Sequence, residues 1–227
     1  SGIWENAINM DVAEAFLDEL ANRGITSFLV RTKNYHIPLS SRGLYADHLQ
    51  AAAMVSIHHN APMIAPSSDP GAETFVQSNS VKSARLGTLV YEAVYEALDK
   101  FSWVQWTSQY DAGVIRVLNN RGTDTYGMMS RPKTPTTLIE LAYLANPSEA
   151  KLLKSAEYLP AVSNALADAV EEFLQTPSTG TYPTTTRNFT AADAPGYNVC
   201  RDPELSSPII FDFPSREELV LRGLIGE

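Results

Sequence analysis

The sequence predicts an α/β fold, a mostly parallel twisted sheet with helices on both faces. Three observations predict it: amphipathic helical stretches alternate with short apolar strands, the chain contains a helix-start signature between two such elements, and no internal repeat competes with that reading. The chain has 227 residues, enough for one α/β domain with an appendage and a sizeable core.

The elements follow in order. Ile8, Val12, Ala15, Phe16 and Leu20 recur at helical spacing over residues 6–22, and Gly24 is placed to end that helix in a left-handed turn. Residues 25–32 (ITSFLVRT) are rich in β-branched and aromatic side chains and predict a strand. Ser40 or Ser41 can cap a second helix reaching about Ala52, and Met54–Ile57 follows as a strand. Strands near 73–77 and 113–118 flank a long helix near 81–100, and residues 136–141 (TTLIEL) form another apolar strand. Asn146-Pro147-Ser148-Glu149 is a helix start, with a capping Asn, Pro in the first turn and Glu three residues after the cap. A last amphipathic helix covers about 159–174.

Composition changes after Gln175. Residues 1–175 read as the catalytic-sized domain, and 176–227 as a Thr/Pro-rich linker with a C-terminal extension. Within that extension, 208–211 predicts an edge strand and 215–224 a closing helix.

Charge and cysteine content narrow the function. A net charge of -9 argues against nucleic acid, whose binding rests on Lys and Arg. No stretch approaches the roughly 20 apolar residues of a membrane span, so membrane insertion is not expected. Cys200 is the only cysteine, which leaves His and carboxylates as the donors for any metal.

Three short segments carry candidate chemistry. In Val55-Ser56-Ile57-His58-His59-Asn60 an apolar strand delivers His58 toward its carboxyl end, where ligand sites of open sheets lie; a core or solvated histidine is the plainer alternative. Glu140 stands inside the apolar run TTLIEL, where a carboxylate must be paired, protonated or at the sheet end; a base of raised pKa and a salt-bridged structural residue both satisfy that demand. Glu5 heads the first helix, where acidic residues are also common for dipole reasons. Asn60 reads either as a residue orienting His58 or substrate, or as a turn residue.

Taken together, WENAINMDVAEAFLDELANRG, SRGLYADHLQAAAMVSIHHNA, GAETFVQS and NNRGTDTYGMMSRPKTPTTLIELAYLANPSEAKLL resemble, in order, the motifs of the zinc-dependent N-acetylmuramoyl-L-alanine amidases, the bacterial and phage cell-wall amidases. The resemblance covers about residues 3–175 and is most specific in Ser-Ile-His-x-Asn-Ala and in Pro-x-x-Leu-Ile-Glu followed by Asn-Pro. It implies that Glu5 and His58 hold one zinc ion and that Glu140 is the catalytic base. The substrate implied is peptidoglycan, cut between N-acetylmuramic acid and L-alanine, which implies a protein exported to the cell wall or periplasm. Arg131 matches a family arginine displaced by one position and is expected to bind substrate.

The family's remaining zinc ligand, a His in a Gly-His-Gly motif ending the first strand, has no counterpart in the sequence. His36 and His48 are poorly placed, and His59 should point away from His58 by the strand pleat. The expectation is that this first strand and its His precede Ser1. A zinc carboxypeptidase on a related scaffold, or a non-catalytic peptidoglycan-binding or regulatory homologue, are the alternative functions. An activator or an autoinhibitory tail formed by 176–227 is compatible with either.

Overall fold

In the computed structural model, residues 2–33, 37–61, 65–108, 112–178 and 180–188 are described. The elements are α1 (Glu5–Asn22), α2 (Leu39–His48), β1 (Met54–Asn60), β2 (Pro66–Ser67), β3 (Glu73–Val76), α3 (Val81–Asp99), β4 (Trp106–Thr107), β5 (Gly113–Leu118), α4 (Gly127–Ser130), β6 (Thr136–Tyr143), α5 (Pro147–Leu153), α6 (Tyr158–Gln175) and β7 (Thr185–Asn188). A five-stranded sheet runs in the order β1-β6-β3-β5-β7. β1 is parallel to β6, β6 antiparallel to β3, and β3, β5 and β7 parallel to one another, so the sheet is mostly parallel, as predicted.

Helices cover both faces. Ile139, Leu141, Val55 and Ile57 point into the larger core with α1, α3 and α6. Met54, Leu138, Phe75, Ile115 and Val117 point to the other face, beneath α2 and α4. Two close approaches fix the larger layer. Gly87 lets α3 seat directly on Val76, Thr74 and Thr137, where any Cβ would collide. Arg23, just past α1, bonds Asp168 and Glu171 of α6 at 2.5 and 3.1 Å.

Local grammar explains most element ends. Gly24 takes φ 72°, and its N–H closes on the Ala21 carbonyl, as its position predicts. Gln50 takes φ 52°, so α2 stops at His48 rather than continuing to Ala52. Asn146 Oδ1 accepts from the Ser148 and Glu149 backbone N–H groups, confirming the cap of α5.

Two expectations change. Residues 25–32 form no strand: among the described residues no strand ladder includes them, and a cleft lies between them and β1. Residues 185–188, inside the stretch read as a linker, form β7, since β-branched Thr185 and Thr186 meet the outer edge of β5. The strand at 208–211 and the helix at 215–224 lie outside the described residues. Among the described residues no helix is long and apolar enough to cross a membrane.

Candidate active site

The strand register assembles the site. His58 on β1 pairs with Glu140 on β6, which in turn pairs with Glu73 on β3. Residues directly opposite share a face, so the three side chains form a row across neighbouring strands. Strand parity puts that row on the side of the smaller core, beyond Met54, Leu138 and Phe75. β1 runs through His58, His59 and Asn60 rather than ending before them, and its register shifts between His58 and Asn60.

Glu5, at the head of α1, meets the row at His58: its Oε1 lies 3.0 Å from His58 Nδ1. Asn9, one turn on, donates to the same oxygen at 3.1 Å. Burial acts to raise the Glu5 pKa, but the bonds from His58, Asn9 and the His59 backbone N–H, with the charge of His58, hold it below the ordinary glutamate value. Ser56 Oγ lies 3.1 Å from the other ring nitrogen of His58.

Glu140 is of the opposite kind. Its Oε2 is buried without a hydrogen-bond partner. Burial raises its pKa to about 7; the charge of His58 opposes the rise, and Glu5 and Glu73 add to it. A carboxyl balanced near neutrality, with one free oxygen, can take and return a proton.

Asn60 and Glu73 form a supporting cluster. Glu73 is fully buried; its Oε2 accepts from Asn60 Nδ2 at 2.9 Å and from the Tyr143 hydroxyl at 3.1 Å. Its Oε1 accepts from Arg187, whose guanidinium lies over the Phe75 ring. Asn60 thus orients against Glu73, and its own Oδ1 accepts from the Ala61 N–H.

The structure does not bring Arg131 into this group. It is exposed at the end of α4, ahead of the start of β6, whereas Glu140 is well inside that strand. The cations near Glu5 are Arg42, whose pKa is lowered by burial and by Arg31 while Glu5 acts to raise it, and Arg31, which donates to the Asn6 carbonyl at 2.8 Å. Reading by motif missed them, along with Asn9, Glu73, Tyr158 and Arg187. The spacing of Glu5 and Asn9 along a helix was the available signal for Asn9. His48 ends α2 and His36 lies outside the described residues.

Beside Glu5 and His58 opens a cleft of about 950 Å³ between α1, residues 25–31 and β1. Phe16, Leu20, Ile25 and Val55 are among the apolar side chains that line it, and the edge of β1 away from β6 faces it. Among the described residues no group of three His, Cys, Asp or Glu is placed to hold a metal. Glu5 and His58 are two such donors in contact.

The model of the family Amidase_3, N-acetylmuramoyl-L-alanine amidase, matches residues 1–172. The chain belongs to this family. Bacillus subtilis YqiI, a protein named as uncharacterized, is 27% identical over 175 residues, 76% of each chain. The B. subtilis N-acetylmuramoyl-L-alanine amidase LytC is 26% identical over 176 residues, 76% of this chain but 32% of LytC. Escherichia coli AmiA, of the same named activity, is 25% identical over 199 residues, 75% of this chain and 68% of AmiA. The fold is shared with the solved amidase of Clostridium difficile 630, at TM-score 0.64 and 20% identity over 78% of this chain and 88% of that one. It is shared also with the catalytic domain of CwlV from Bacillus (Paenibacillus) polymyxa, at TM-score 0.60 and 21% identity over the same shares, 78% and 88%. This amidase-family chain therefore has a hydrolase fold, and Glu5, His58 and Glu140 lie within the matched residues.

Proposed function

We propose that this chain hydrolyses the amide between N-acetylmuramic acid and the L-alanine of the stem peptide in peptidoglycan, acting outside the cytoplasmic membrane. The observation that carries this reading is Glu140: a nearly buried carboxyl, in register with His58, with a free oxygen and a pKa of about 7. Glu140 takes a proton from the attacking water and hands it to the leaving amine. Asn60, held by Glu73, and Arg131 are the proposed substrate-binding residues, Arg131 at the periphery.

Glu5 and His58 are the residues that would hold zinc, and the donor chemistry fits: an ionised carboxylate and an imidazole in contact, beside an open cleft. Zinc held there would supply Lewis-acid chemistry, polarising a carbonyl and lowering the pKa of water. The third donor is proposed to be a histidine preceding Ser1, carried by an extended segment that adds to β1 in the cleft. The apolar lining, and the edge of β1 that no strand pairs among the described residues, support such a strand.

A binding or regulatory role is the competing reading, favoured by the presence of only two adjacent donors among the described residues. Metal analysis with muropeptide release separates them. One zinc per chain in protein carrying its upstream segment, and stem peptides released by wild type but not by Glu140→Ala, are the expected results. Wall binding with neither zinc nor cleavage would overturn the amidase reading.

A further inference from the structure

We propose that Tyr158 and His59 are positioning residues for Glu5, acting through Asn9 along a hydrogen-bond chain with one direction. The proposal rests on reading Glu5 as a metal ligand, and extends it to α6, a helix far from Glu5 in sequence.

The chain of contacts is continuous. Tyr158 Oη lies 2.6 Å from His59 Nε2, and His59 Nδ1 lies 2.7 Å from Asn9 Oδ1. Asn9 Nδ2 donates to Glu5 Oε1 at 3.1 Å, and that oxygen also faces His58 Nδ1. His59 is 2% exposed and Tyr158 is fully buried, so water does not compete for these bonds. The pleat turns His59 to the larger core while its neighbour His58 faces the row of carboxylates.

The direction follows from charge. An ionised carboxylate only accepts, so Asn9 must present its NH₂ group to Glu5. Asn9 Oδ1 then faces His59 Nδ1, which must carry the proton. His59 Nε2 is left as an acceptor, and the Tyr158 hydroxyl, 2.6 Å away, donates to it. His59 is enclosed between Asn9 and Tyr158, so each ring nitrogen has one partner and one role. Tyr158 thus selects the His59 tautomer, the tautomer selects the face of the Asn9 amide, and the amide aims Glu5.

The chain predicts a specific failure. Without the Tyr158 hydroxyl, His59 loses its reason to prefer Nδ1–H. In the Nε2–H form its bare Nδ1 draws the Asn9 NH₂ group away, turning the amide oxygen toward the Glu5 carboxylate.

The test uses the full chain in two measurements. With ¹⁵N-labelled histidine, wild type should show His59 as the Nδ1–H tautomer, and Tyr158→Phe should show a mixture. Zinc affinity, measured by competition with a chelating dye, should fall about 10–100-fold in the isosteric Asn9→Asp, which cannot donate to Glu5, and about tenfold in Tyr158→Phe. An Nε2–H tautomer in wild type, or unchanged zinc affinity in folded Asn9→Asp, overturns the proposal. Wild type that takes up no zinc yet shows Nδ1–H, with a mixture in Tyr158→Phe, supports the chain and overturns the metal reading of Glu5 instead.

Discussion

Arg187 closes on the carboxylate of Glu73 from outside the residues matched to the amidase family, so the buried charge next to Glu140 is neutralised by the chain's own tail. Glu73 is wholly buried whereas Arg187 is partly exposed, so the pair is asymmetric: removing the arginine leaves a carboxylate stranded. Arg187→Met should cost about 2–4 kcal/mol in urea unfolding. Adding Glu73→Gln, which needs no counter-charge, should recover most of it, and equal losses in the single and double variants would show that the pairing is not the cause.

Glu140 sets a pH dependence of opposite sign to the usual acidic residue. Its folded pKa lies above the ordinary glutamate value, so the folded state holds the extra proton between about pH 4.5 and 7. Stability from this group is full below that window and is lost as pH rises through it, by up to about 3 kcal/mol. Glu140→Gln should therefore be more stable than wild type at pH 8 and nearly equal at pH 4.5. Thermal unfolding of both proteins at the two pH values is the measurement.

Glu149 is a buried acid with every bond made. It accepts from the backbone N–H groups of Thr107 at 2.7 Å and Tyr143 at 2.6 Å, and from Asn146 Nδ2 at 2.9 Å. Glu149→Ala strips partners from two buried N–H groups, one on β4 and one at the end of β6, and should cost about 3 kcal/mol or more in chemical denaturation. A loss below about 1 kcal/mol would show that water replaces the carboxylate.

Gly87 tests how tightly α3 is seated. A methyl group there meets Val76 and Thr74, so Gly87→Ala should lower stability by about 1–3 kcal/mol despite the better helix propensity of Ala. A gain in the melting temperature would mean that α3 shifts without penalty.

Much of this was legible because the deciding signals were local. The alternation of elements, the turn at Gly24, the cap at Asn146 and the opposite orientations of His58 and His59 all depend on neighbours in sequence. Glu5, His58 and Glu140 stood out by motif, and the fold brings His58 to both carboxylates, through contact with Glu5 and register with Glu140. What sequence could not reach was pairing at a distance. Residues 25–32 have strand composition but no adjacent ladder among the described residues, while Thr185–Asn188 became a strand because β5 offered an edge. Arg187 and Tyr158 act on groups more than 90 positions away, and no periodicity announces such partners.

The open side of β1 also bears on handling. β1 pairs with β6 on one side only among the described residues, and unpaired strand edges are templates for neighbouring chains. Where the extended segment proposed to lie on β1 is absent, two molecules should zip together through this edge, giving soluble dimers or precipitate rather than a denatured protein, and where it is present they should not. Light scattering across a dilution series, with and without a short apolar peptide able to occupy the cleft, should show self-association that the peptide suppresses.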